Sequence, residues 1–316
     1  MKMKVVTIGG GTGLSTLLKG LKHLSSFEIT AVVSVTDEGG SSGKLRKELN
    51  VPPPGDVRNN IVALAEDEDL LAKLMNYRFM EGSLKGHSLG NLIIAALTKI
   101  EGSFSEAIRT LEKVLAIKGR VLPVSEDHAR LVARFEDGEE VVGETNIVKK
   151  NGKIVKVWLD RSIEALPGVT EAISEAEMIV FGPGSLYTSI ITNVLVKGVK
   201  EAIKRSKARK VYICNLMTQP GETTGYRVSD HVRELERYLE EKVDFVVVNT
   251  KRPSPEVLER YRKEGSDFVE IDVENTQNTI IAEPLLTEIV DPLDGKKKVR
   301  HDFLRLAGVI ERISRW

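Results

Sequence analysis

"KVVTIGGGTGLSTLLKGLKHL", residues 4–24, holds a strand, a turn and a helix in one short run. Valine and isoleucine lead into Gly9, Gly10, Gly11, Thr12 and Gly13, and leucines then recur at helical spacing from Leu14. Glycines let a backbone come close to a ligand, and the first turn of a helix offers unpaired N–H groups and a partial positive charge, so this turn is equipped for phosphate. It departs from the full dinucleotide fingerprint, because Thr16 stands where a third glycine would fall, and no Walker lysine follows.

Working outward, "ITAVVSV" (29–35) reads as a second buried strand, and helical patterns follow over 56–65, 69–79, 90–100 and 105–116. Fully apolar strands between amphipathic helices mark a parallel sheet covered on both faces. The pattern changes near residue 121: "EDGEE" and "KKNGKI" carry the Asp-Gly and Asn-Gly pairs that favour tight reversals, so 121–160 is expected to be a small antiparallel β-hairpin insertion. Strand-helix alternation resumes with "EMIVFGPGS", a helix over 186–205, "KVYICN", a helix over 229–241, "DFVVVN", a helix over 255–263, "DFVEID", and a terminal amphipathic helix in "RHDFLRLAGVIERI". The expected fold is α/β: a doubly wound, mostly parallel, Rossmann-like sheet, residues 1–316 forming one domain around the insertion.

Lys plus Arg and Asp plus Glu are each 46, so the formal net charge is zero and no bulk field favours nucleic acid or anionic lipid. Any anion must be held by local geometry. No run approaches the roughly 18 to 20 apolar residues of a membrane span, and the start has too short an apolar stretch for a secretory signal. The single cysteine, Cys214, makes no internal disulfide and suits a reducing compartment, so a cytoplasmic protein is expected. The expected partners are a nucleotide ligand and a second copy of this chain, with no nucleic acid and no membrane span.

Candidate site residues gather at the carboxyl ends of the strands. A second turn, "FGPGSLYTSI", repeats the logic of the first with Gly182, Gly184, Ser185 and Thr188, although Ser185 could simply cap the next helix. Asp37 ends the second strand, where a dinucleotide fold keeps an acid for ribose hydroxyls; the same place could serve a metal or a reacting group. After it, "GGSSGKLRKEL" supplies Gly39, Gly40, Ser41, Ser42 and Arg46. "PPPGDVRNN" adds Asp56, a candidate N-cap, with Arg58 and Asn59, good equipment for phosphate or a base edge. "GHSLGN" contributes His87 and Asn91, and "CNLMTQPGETTGY" contributes Asn215 and Thr218, with Gln219 and Glu222 nearby. His231 and His301 are read as capping residues at helix starts. No zinc-type Cys and His cluster and no G-x-S-x-G elbow are present.

"GGGTGLSTLLKGLK", "VTDEGGSSGKLR", "PPPGDVRNNIVALA", "GHSLGNLIIAALT", "VLPVS", "FGPGSLYTSI", "CNLMTQPGET" and "VRHDFLRLA" together closely resemble the YvcK-type gluconeogenesis factors of the CofD-like superfamily. One departure is that the family stretch usually has two aspartates, and here the second is Glu38. The resemblance implies a Rossmann-like core binding a nucleotide ligand, of the UDP-sugar kind, with links to gluconeogenic growth and cell-wall morphogenesis. The CofD-type relatives are 2-phospho-L-lactate transferases, which move a phosphate-linked group from a guanosine diphosphate donor with Mg2+. Three expectations result: a sugar-nucleotide-binding regulator; a transferase in which Asp37 is catalytic and no metal ligand is assigned; and, more distantly, an NAD-dependent dehydrogenase.

Overall fold

The computed structural model describes residues 2–66, 70–272, 277–291 and 295–316. The first half runs β1 (Met3–Gly9), α1 (Gly11–Leu21), β2 (Phe27–Val33), α2 (Gly40–Leu49), α3 (Gly55–Leu64), α4 (Leu70–Asn76), α5 (Leu89–Glu101) and α6 (Phe104–Val114). It continues through β3 (Arg120–Pro123), β4 (Leu131–Phe135), β5 (Glu140–Val142), α7 (Glu144–Lys150), β6 (Ile154–Leu159) and α8 (Pro167–Glu175). Then come β7 (Met178–Phe181), a π-helical segment Leu186–Ile191 leading into α9 (Thr192–Val194), α10 (Val199–Arg205), β8 (Arg209–Ile213) and α11 (Val228–Leu239). The chain ends with β9 (Phe245–Asn249), α12 (Pro255–Lys263), β10 (Thr279–Glu283), β11 (Leu286–Val290), β12 (Lys297–His301) and α13 (Phe303–Ser314).

Seven strands form one sheet in the order β10-β9-β8-β7-β1-β2-β3, with every neighbouring pair parallel. The chain winds outward from β1 to β3, then returns and winds the other way from β7 to β10. The order therefore reverses between β1 and β7, and loops leaving those two strands flank the crevice where open α/β sheets take ligands. Apolar clusters cover both faces, as the fully apolar strands require. On one of them α1 buries Leu14, Leu17, Leu18 and Leu21 completely, each worth about 1.5–3 kcal/mol against exposure, which fixes its N-terminus at the crevice. Gly20 lets α13 press on α1: a Cβ there would lie 2.1 Å from the Phe303 carbonyl oxygen.

Several expectations change. Residues 120–123 are the edge strand of the main sheet, paired in parallel with β2, rather than the start of the insertion. The antiparallel unit is β5-β4-β6, and its second reversal is not an Asn-Gly hairpin. Residues 144–150 form α7, burying Ile147, and Asn151 at φ 50° ends that helix in the left-handed conformation. The helix expected over 186–205 breaks before α10, because Lys197 bridges to Glu164 and Gly198 turns at φ 96°. "DFVEID" adds no strand to the sheet: Phe268 bridges Met217 across a loop. The helix expected over 69–79 starts, in the described residues, at Leu70. A charged hairpin, β11–β12, precedes α13 and carries no apolar alternation strong enough to announce it.

Candidate functional site

The switch-point crevice encloses about 470 Å3. Its floor is the start of α1, whose N-cap Gly10 offers no side chain and whose first turn has no acidic residue; Asp56 meets the Gly11 amide from the adjoining wall, and the amides of Thr12 and Gly13 follow it at the positive end of the helix. The glycines here are needed for packing as well as for access. A Cβ on Gly10 would lie 2.5 Å from Asp56 Oδ2, and one on Gly13 would lie 2.5 Å from the Pro183 carbonyl oxygen. The first glycine turn thus clasps both an acid and the second glycine turn.

Asp37 and Asp56 line the wall beside that floor. Asp37 Oδ1 accepts from the Gly39 N–H at 2.8 Å, which turns the chain into α2. Asp56 does not cap α3, whose N-cap position is Pro54; it accepts instead from the Gly11 backbone. Burial, then the charge of Asp37, pushes the Asp56 carboxyl up to about 7. Glu144, at the start of α7, joins them and is held well above the usual carboxylate range by burial and then by Asp56 and Asp37. Glu222 is also raised, by burial. Thr188 Oγ1 lies 3.0 Å from Glu222 and also hydrogen-bonds Glu144.

The second glycine turn is occupied differently from the first. Glu222 accepts from the Tyr187 and Thr188 N–H groups, both at 3.3 Å, so the chain's own carboxylate sits on the amides that would otherwise receive an anion. Ser185 provides no side-chain cap; its hydroxyl accepts from Gln219 Nε2 at 2.7 Å, and Gln219 Oε1 accepts from Asn215 Nδ2 at 3.2 Å. Asn215 Oδ1 is buried with no hydrogen-bond partner among the described residues. Thr218 ties this wall to the following loop: its N–H donates to the Asp267 carbonyl at 2.7 Å, and its Oγ1 accepts from the Asp267 N–H at 2.8 Å. The far wall comes from α12 and β12, through Tyr261, Glu264, Arg300 and His301. A small apolar cluster of Leu216, Met217, Val257, Phe268, Leu286 and Val299 holds these pieces together.

Of the residues singled out in the sequence, Gly10, Gly11, Thr12, Gly13, Asp37, Asp56, Gly184, Ser185, Asn215 and Thr218 line this crevice. Gly39, Gly40, Ser41, Ser42, Arg46, Arg58, Asn59, His87, Asn91, Gly182 and Thr188 do not. Ser42 Oγ accepts from the Gly55 N–H at 3.0 Å, and Ser41 Oγ meets His87 Nδ1 at 3.1 Å, so these hydroxyls fasten α2 to the neighbouring loops. Arg58 donates to Ser88 and to Asn59 Oδ1, behind the acid pair, and burial and then Arg78 push it down to about 10. Asn91 Nδ2 reaches Ser42 at 3.4 Å. Glu38 points away from the crevice: Oε1 pairs with Arg46 at 2.8 Å and Oε2 lies against Gly143.

Glu144, Arg300 and His301 were not expected in the wall. His301 ends β12 rather than starting a helix, Asp302 capping α13 in its place, and burial holds its imidazole at about 4. Nothing local in the "VRHD" stretch says that it closes on residues near position 215. His231 lies inside α11 and bonds the Arg227 carbonyl. Cys214 is buried and pushed up to about 12, mainly by burial, leaving it a packing residue.

A doubly wound parallel sheet with its polar crevice at the strand-order reversal places the protein in the Rossmann-like α/β class. A family profile described as 2-phospho-L-lactate transferase CofD matches residues 5–286. The chain is 84% identical over 314 residues to a putative gluconeogenesis factor of Thermotoga maritima, spanning 99% of this chain and 100% of that one. It is 43% identical over 315 residues to the gluconeogenesis factor of Bacillus subtilis, spanning 98% and 97%. A crystal structure of a Bacillus halodurans protein superposes with a TM-score of 0.93 at 45% identity, covering 98% of this chain and 100% of that one. The chain belongs to the CofD family, in its gluconeogenesis-factor branch.

Proposed function

We propose that this protein is a cytoplasmic regulator that binds a UDP-sugar in the switch-point crevice and links carbon metabolism to cell-wall morphogenesis. The observation that carries this reading is that one crevice joins the α1 N-terminus, whose Gly11 amide Asp56 meets and whose N-cap glycine has no side chain, to Asn215 Oδ1, which has no hydrogen-bond partner among the described residues. The amides of α1 suit a diphosphate, and Asn215 Oδ1 needs a donor of the kind that ribose hydroxyls or a base N–H supply. Within this reading Gly10 to Gly13 hold phosphate, while Ser185, Asn215 and Thr218 fix the nucleoside end. Among the described residues no helix is long and apolar enough to cross a membrane.

A second reading, transfer of a phosphate-linked group from a nucleoside diphosphate donor, rests on the acid pair. Asp37 and Asp56 line the wall beside a phosphate-seeking floor; burial and then the charge of Asp37 raise Asp56 to about 7, and a divalent cation would offset both. Mg2+ commonly takes one or two carboxylates and completes its shell with phosphate oxygens and water. The pair fits that need, although among the described residues no group of three or more His, Cys, Asp or Glu could hold a metal unaided. With Mg2+ bound, the chain's own part would be to orient the acceptor through Asp37 and to stabilise phosphate charge through the α1 amides.

Calorimetry with a UDP-sugar, GDP and NAD, each with and without Mg2+, separates the readings. Tightest binding of the UDP-sugar without turnover is expected; flat traces for all three would overturn nucleotide binding altogether. Turnover of a donor and acceptor pair that disappears in Asp37→Asn would establish the transferase instead.

A further inference from the structure

A second cavity of about 390 Å3 lies where the end of α2 meets the antiparallel unit, and it shares no lining residue with the crevice. Four cations, Arg46, Lys47, Arg130 and Arg161, face it against one carboxylate, Asp160; Asn50 and His128 complete its polar lining. The cations are incompletely neutralised. Arg130 Nε pairs with Asp160 at 2.8 Å, and Arg46 Nη2 pairs with Glu38. Arg161 spends its donors on the His128 carbonyl, a neutral group, and Lys47 has no ion pair among the described residues. Arg46 is the fixed member: it is 8% exposed, and its Nη1 is buried with no hydrogen-bond partner among the described residues.

A buried guanidinium with a spare donor, facing three further cations, is a costly arrangement that an anion would relieve. Guanidinium forks match the oxygens of a phosphate, and the exposed Lys47 and Arg161 side chains are long enough to close over one. The volume lies in the range of small-molecule pockets. We propose that this cavity binds the phosphate group of a small anionic metabolite, at a site separate from the crevice. Arg46 is its fixed backstop, and Lys47 and Arg161 are its mobile clamps.

Inorganic phosphate is a sufficient probe. Titrating it calorimetrically into the full-length protein should show binding that a Lys47→Ala/Arg161→Ala double variant weakens about tenfold or more, the loss expected for charge-assisted contacts. Both side chains are exposed and clear of the crevice, so the variant should unfold at the wild-type temperature, which a melting curve checks. Crystals soaked in tungstate should place an anomalous peak against Arg46 and Lys47. Equal phosphate affinity in the two proteins, or a peak confined to the α1 N-terminus, or no peak at all, would overturn the proposal.

Discussion

Asp56 is the residue on which the crevice's electrostatics turn. Its carboxyl is raised in the folded protein to about 7 from an ordinary 3.8, so the unfolded chain binds fewer protons between those values. The stabilisation that protonated Asp56 gives is complete below about pH 4 and is lost as pH rises towards 7. Asp56→Asn keeps an acceptor for the Gly11 N–H without the charge. The variant should match wild type in thermal unfolding near pH 4 and exceed it at pH 8, by no more than about 4 kcal/mol, the ceiling set by a shift of about three units. A constant difference at every pH would show that Asp56 does not titrate as described. Asp37 and Asp56 were legible in the sequence because each stands beside a strand end or a helix start rich in glycine and proline. Glu144 was not, since "GETNIV" reads as part of the β-hairpin insertion, and only the helix that forms over 144–150, packed through Ile147, brings it to the crevice.

Helices and turns give predictions of a different kind, because their side chains act through neighbours. Gly13 carries α1 past the second glycine turn, and the Cβ of a Gly13→Ala variant would meet backbone atoms of Pro183 and Gly184 at 2.5–2.9 Å. Backbone cannot swing aside as a flexible side chain can. We expect a loss of about 1–3 kcal/mol in denaturant unfolding, together with weaker nucleotide binding as the two turns part. Ser88 caps α5, accepting from the Asn91 N–H, and also receives Arg58. Ser88→Ala should cost about 1–2 kcal/mol, more than a cap alone, because it leaves the buried Arg58 short of an acceptor. Helices α3, α5, α6, α11, α12 and α13 were readable because their periodicity is local, whereas the short α7 was not. "DFVEID" misled because an apolar run reports burial, whereas membership of the sheet depends on which backbone groups are left to pair with it. The Asn-Gly pair at 151–152 misled in a related way: the same left-handed preference that closes a hairpin also ends a helix.

The crevice as a whole belongs to the molecule, assembled from the loops after β1, β2, β7 and β8, the starts of α3 and α7, and the distant β12. A ligand that binds there holds these parts together, and at one hundred times its dissociation constant it should raise folding stability by about 2.7 kcal/mol. Arg300 tests the far wall, since among the described residues its side chain bonds only the carbonyl of its neighbour Val299. Arg300→Ala should leave the unliganded melting temperature unchanged and remove most of the melting shift that a UDP-sugar produces; an undiminished shift would place the ligand elsewhere.

The sequence by itself determined the alternation of buried strands and amphipathic helices, the glycine turn at the start of α1, and the polar chemistry at the strand ends. Each of these is written in residues close together in the chain, where steric preference and periodicity act. Only the tertiary structure decided which polar groups share a space. It sent Arg46 and His87 away from the crevice and Glu38 into a pair with Arg46, placed Glu222 on the amides of the second turn, and brought Arg300 and His301 across to Asn215. Strand order and hairpin docking settle such meetings by pairing backbone and burying apolar surface across long separations, and no local pattern carries that information.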